Sequence, residues 1–192
     1  MREHRAVSDE LIVAQCSPTL AGLKTGSLFS CPMEQKEELF SSLRRLNAIL
    51  VPRGLRILPV KRLKGRILLY LYRPDRLRAD LRDGTARDIL WEKAYPVENV
   101  GRCVAELVRR LQTQEAFPHE VGLFLGYPAA DVDGFIRLGA DRAKCVGIWC
   151  VYGDEDAAKK TFSAYRKCKK VYADVYRRNR SFDQLVVSRS YN

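Results

Sequence analysis

Two uninterrupted apolar runs, VGLFLG at residues 121–126 and CVGIWCVY at 145–152, constrain the fold of this chain more than any other feature. A short apolar run bounded by turn formers reads as a strand, and one without polar alternation needs cover on both faces. Amphipathic helices can supply that cover. Leu39, Leu43, Leu46 and Leu50 recur at the helical period before Pro52 and Gly54, and Val100, Val104, Leu107 and Leu111 repeat the pattern. A last long helix, over about residues 154–176, carries Phe162, Tyr165, Cys168, Tyr172 and Val175 on one stripe. Two further strands, 56–60 and 66–72, flank the basic link KRLKG as a hairpin, with Pro59 placing the first at an edge. The expected fold is mixed α/β: one domain over residues 1–192, with a central mixed sheet of about four strands covered by helices.

Shorter elements fill the gaps. Helices are expected over 3–14, 74–81, 85–91 and 129–138, and a short strand over 185–187, while 16–32 reads as turn-rich and irregular. No apolar run reaches the ~18 residues a membrane helix needs. The first residues lack the apolar core of an export signal, so a cytoplasmic location is expected. In that compartment the six cysteines, at 16, 31, 103, 145, 150 and 168, read as reduced thiols. There is no C-x-x-C pair, and Cys145 and Cys150 point to opposite faces of one strand, so no metal site is expected.

The net charge of +11 is unevenly spread. Residues 44–110 carry +10 and residues 159–180 carry +8, whereas 111–158 carry −5. A basic surface attracts anionic partners at long range. The tracts KRLKGR and YRKCKK bring nucleic acid into view, yet the tyrosines of the last helix lie on its apolar stripe, away from the cations. No zinc finger, RNA-recognition signature or GXXG loop is present, so nucleic acid is not the favoured partner.

The acidic stretch contains FPHEVGLFLGYPAADVDGFI, with the chain's only internal histidine, His119. Imidazole titrates near neutrality, which makes histidine a natural proton carrier. His119 either anchors the strand through a backbone carbonyl or faces a ligand from the strand's mouth. Glu120, its neighbour, faces the other way in a regular strand and is a poor orienting partner. Asp131 and Asp133 either cap the next helix or lie on the surface. Cys16 is the second catalytic candidate. It precedes Ser17-Pro18-Thr19, with Lys24 close in sequence, and a thiol near a helix N-terminus or a cation is a recognised nucleophile. The competing reading of Cys16 is a buried inert thiol. GLKTGS, at 22–27, lacks the spacing of a phosphate-binding loop, and VGLFLG is not a dinucleotide fingerprint.

Three stretches carry a resemblance: CSPTLAGLKTGSLF, FPHEVGLFLGYPAADVDGFI and CVGIWCVYGDEDAAKKTFSAYRKC. Together they resemble a bacterial family of unknown function, numbered 3793 and found mainly in anaerobic Firmicutes. The resemblance spans nearly the whole chain and implies one full-length domain. It brings no activity, cofactor, partner or catalytic residue.

Two functional readings follow. One is a small cytoplasmic enzyme or small-molecule-binding domain with a pocket near His119. The alternative is a non-catalytic basic adaptor for an anionic protein or nucleic acid. No motif assigns a cofactor, a reaction or an oligomeric state.

Overall fold

The structure, a computed structural model, describes residues 7–32 and 36–188. Among these are eight α-helices and five strands, a mixed α/β fold. The chain divides into two compact units, Met1–Pro74 with Cys168–Asn192, and Asp75–Lys167.

In the first unit, α1 (Asp9–Leu20) begins where Ser8 Oγ accepts the Leu11 N–H at 3.2 Å, and Asp9 and Glu10 occupy its positive end. The chain turns at Gly22, whose φ of +77° favours glycine, and enters β1 (Gly26–Pro32). Next come α2 (Lys36–Leu50), β2 (Arg56–Leu63) and β3 (Arg66–Tyr72). The three strands form an antiparallel sheet in the order β1-β3-β2. Pro59 does lie on an edge strand, beside a register shift at Pro59/Lys61. Phe29, Cys31, Ile57, Leu69 and Leu71 share a core with Ile12, Cys16, Leu39 and Leu46. Asn47 clasps β2 to α2: its Nδ2 donates to Ile57 O at 2.8 Å, and its Oδ1 accepts the Ile57 N–H at 3.0 Å.

The buried Arg73 closes the carbonyl end of α1. Its guanidinium donates to Thr19 O at 2.8 Å, Leu20 O at 2.7 Å and Val187 O at 2.8 Å, placing a cation where the helix end is negative. Val187 N–H donates in turn to Leu20 O at 3.1 Å. The strand expected over 185–187 is therefore corrected to a 3-10 turn, Asp183–Leu185, followed by a single bond to α1. The irregular segment expected over 16–32 is also corrected, because the end of α1 and all of β1 fall within it. Its serines and prolines hide the inward pair Phe29 and Cys31, two residues apart as a strand requires. Of the helix expected over 3–14, residues 3–6 lie outside the described residues.

The second unit contains α4 (Gly84–Glu92), α5 (Val100–Thr113), α6 (Val121–Phe124) and α7 (Ala129–Leu138), preceded by α3 (Pro74–Asp80). Asp83 and Asn99 cap α4 and α5, each accepting a backbone N–H at 3.0 Å. A small antiparallel hairpin, β4 (Cys145–Val146) and β5 (Cys150–Val151), leads into α8 (Glu155–Asn179), whose first half belongs to this unit.

Both apolar runs that suggested central strands take other forms. VGLFLG is a single helical turn. The N–H groups of Leu123, Leu125, Gly126 and Tyr127 donate to the carbonyls of Glu120, Val121, Leu123 and Gly122, which leaves none of them for a strand ladder. Full burial erases the polar alternation that would separate a short helix from a strand. CVGIWCVY folds back on itself at Gly147, whose N–H donates to Trp149 O at 3.0 Å. The expected sheet of about four strands is thus corrected to one of three strands and a separate one of two. Cys145 and Cys150 still face opposite ways, because Cys145 pairs with Val151 and Cys150 with Val146 across the hairpin.

Candidate functional site

The site in the second unit begins with a turn at residues 118–121. Val121 N–H donates to Pro118 O at 3.2 Å, and Gly122 N–H to His119 O at 3.3 Å. Pro118 and Glu120 are buried, whereas His119 between them is exposed. Glu120 fixes the turn. Its Oε1 accepts the Tyr95 hydroxyl at 3.0 Å, with Arg110 Nη1 at 3.7 Å and Lys93 Nζ at 3.8 Å supplying positive charge. Burial, and then the Glu120 carboxylate, hold the Tyr95 hydroxyl well above its ordinary range. With its neighbour anchored inward, His119 turns outward.

A second set of bonds ties the hairpin to α7. Asp131, buried in the first turn of α7, accepts the Tyr152 N–H at 2.8 Å and the Gly153 N–H at 2.7 Å on Oδ1, and the Trp149 indole N–H at 2.7 Å on Oδ2. The indole stacks on Tyr127, centroids 4.9 Å apart, and meets Phe162 edge-on at 4.5 Å. Gly122 lets α6 approach α7, since a Cβ there would stand 2.8 Å from Val132 Cγ2.

Between these parts lies a pocket of about 280 Å³. Its apolar lining includes Val121, Tyr127, Val132, Phe135 and Trp149, and its polar contributions come from His119, Asp131 and Cys150. Among the described residues, no lysine or arginine lines it. His119 meets the Phe135 ring edge-on, centroids 5.0 Å apart. Among the described residues, the imidazole nitrogens take no hydrogen-bond partner. The expectation that His119 stands at the mouth of a strand is corrected: it precedes a helical turn and stands at a pocket.

A family model described as "Protein of unknown function (DUF3793)" matches residues 12–186. The chain belongs to the DUF3793 family. No curated protein and no solved structure matches it.

The second catalytic candidate of this DUF3793 chain belongs to the first unit. Cys16 is in α1 of the first unit, fully buried, and every residue lining the pocket belongs to the second. Burial pushes its thiol up to about 12, against the hydrogen bond from Ser27 and the charges of Lys24 and Lys169. Burial likewise holds Lys24 down to about 8. All six cysteines are free thiols. Among the described residues, no three His, Cys, Asp or Glu side chains group as metal ligands, and no helix is long and apolar enough to cross a membrane.

Two polar members of the pocket were not tied to His119 by sequence reasoning. Cys150 enters because CVGIWCVY folds as a hairpin. Asp131 acts across 18 to 22 residues, a link that leaves no local pattern. The one available signal was the tryptophan at 149, whose N–H needs an acceptor when buried.

Proposed function

We propose that the second unit is a small-molecule-binding domain, with its ligand in the pocket beside His119 and the imidazole as the hydrogen-bonding group. The observation that carries this reading is His119 itself, with unpartnered ring nitrogens at the edge of an apolar pocket. Ligand sites combine mostly apolar walls with a few placed polar groups, and at about 280 Å³ this one is near the small end of the usual range. Asp131 has both oxygens engaged by N–H donors, so it supports the wall and leaves the ligand to His119 and Cys150. Cys16 is best read as a core thiol. The free thiols fit a cytoplasmic protein.

The test is a fragment library screened by ligand-observed NMR against the wild type, Val132→Phe and His119→Asn. Hits lost in both folded variants support the reading. Hits that persist in both, or no hits at all, contradict it.

One observation favours a second reading, a basic surface for a polyanion. The β2–β3 hairpin carries Arg56, Lys61, Arg62, Lys64 and Arg66 and no acidic residue, with Arg62, Lys64 and Arg66 exposed. Binding of this kind falls steeply with salt and shows little sequence preference. Salt-independent affinity for a polyanion, or none at low salt, would count against it.

A further inference from the structure

We propose that this pocket selects a neutral, planar aromatic molecule of about two fused rings, carrying one hydroxyl or carbonyl that hydrogen-bonds to His119. The inference rests on the ligand-site reading above and adds the ligand's class.

Size comes first. An apolar cavity of about 150 Å³ holds benzene, and the present one, about 280 Å³, is nearly twice as large. Ring chemistry comes next. Tyr127 and Trp149 form one stacked pair with planes 29° apart, and His119 and Phe135 form an edge-on pair at 76°. Both pairs line the pocket, offering a planar ligand ring faces and edges at once. These walls are fixed. The Asp131 bond holds the Trp149 ring, and the absent side chain of Gly122 sets the approach of α6 to α7. Fixed aromatic walls favour a rigid planar guest, which loses little conformational freedom on entry.

Charge narrows the class further. Among the described residues, no lysine or arginine lines the pocket to neutralise an anion. The lining carboxylate, Asp131, is held by three N–H groups, with which a cation would have to compete for its oxygens. An anionic ligand would lose hydration without a counter-charge. The unpartnered imidazole of His119 supplies the directional contact, and Cys150, half-buried in the lining, provides a reporter.

The experiment uses three probes of one skeleton: 2-naphthol, its saturated counterpart decahydro-2-naphthol, and 2-naphthoate. Affinity is measured by calorimetry, and Cys150 alkylation is followed by mass spectrometry. The expected result is that 2-naphthol binds about tenfold tighter than either other probe and slows Cys150 alkylation. Val132→Phe abolishes both effects. His119→Asn, at an exposed position, weakens 2-naphthol binding about tenfold but leaves plain naphthalene unchanged. Equal affinity for the saturated alcohol overturns the aromatic class, and preference for 2-naphthoate overturns the neutral one, while the pocket reading survives both. Naphthol binding unaffected by either variant overturns the site. If none of the probes binds while fragment hits sensitive to His119 remain, the ligand class fails alone; if those hits are missing too, both readings fail.

Discussion

Trp149 donates its indole N–H to Asp131 Oδ2 at 2.7 Å, and this bond fastens the β4–β5 hairpin to the first turn of α7. Removing the carboxylate strands a buried indole N–H and the backbone N–H groups of Tyr152 and Gly153. A buried donor without an acceptor costs about 1–3 kcal/mol. Asp131→Ala should therefore lose about 3 kcal/mol in urea unfolding, and Asp131→Asn less, since one acceptor oxygen remains. Trp91 is 72% exposed, so a Trp91→Phe background leaves Trp149 as the fluorescent reporter, and its emission should shift to the red in Asp131→Ala. A cost below about 0.5 kcal/mol, within the surface range, would show that the bond holds nothing in place.

Glycine positions in the same unit should divide sharply. A Cβ at Gly147 would meet the Phe162 ring, and one at Gly134 would meet Tyr152, whereas one at Gly84 meets nothing within 4 Å. Gly147→Ala and Gly134→Ala should each destabilise by about 1–3 kcal/mol through overpacking. Gly84→Ala, at the start of α4, should be neutral or stabilising by up to about 1 kcal/mol from helix propensity. Thermal unfolding of the three variants measures this, and equal effects would contradict the packing around the hairpin.

Thiol chemistry separates the two units. Cys16 is fully buried, and burial keeps it protonated until about pH 12, so it should resist iodoacetamide at pH 8. Cys145 and Cys150 are half-buried and should react first. Peptide mapping after timed labelling decides the order. Cys16 labelled ahead of both would restore it as a nucleophile.

Glu106 gives a pH signature. Hydrogen bonds from Arg109, and then from Arg110, hold its carboxyl down at about 2 against an ordinary 4.5. A folded value below the unfolded one means that the stabilisation is present above about pH 4.5 and is lost as the pH falls towards 2. Arg109 faces solvent on α5, whereas Glu106 and Arg110 are mostly covered, so the gain is modest, about 0.3–0.5 kcal/mol for the i,i+4 pair of Glu106 and Arg110. Glu106→Gln should be less stable than wild type at pH 7, with the difference vanishing near pH 2. A difference that persists at pH 2 would point to packing as its source.

Where the sequence was legible, the signal was local. The leucines of α2 and the valines and leucines of α5 repeat at the helical period, and Pro128 and Gly139 bracket α7, so these helices were visible as a pattern. VGLFLG was misread because complete burial removes the alternation that distinguishes strand from helix, and CVGIWCVY because it turns back at Gly147 with Val146 and Ile148 exposed, so its apolar run is not one buried strand. Only the local carbonyls around α6 and the turn at Gly147 decide the matter. β1 was hidden because turn-forming serines and prolines surround its two inward side chains. His119 stood out as the one internal imidazole. Its pocket did not, because the walls depend on α7 meeting a hairpin some 20 residues further along the chain.

The central claim is that the pocket beside His119 holds a small molecule. It is tested most directly by native mass spectrometry of gently purified wild-type protein beside Val132→Phe, each repeated after denaturation. The account predicts an added mass on folded wild type, released on unfolding and missing from the folded variant. A bare mass for the wild type, or the same added mass on both proteins, would contradict it.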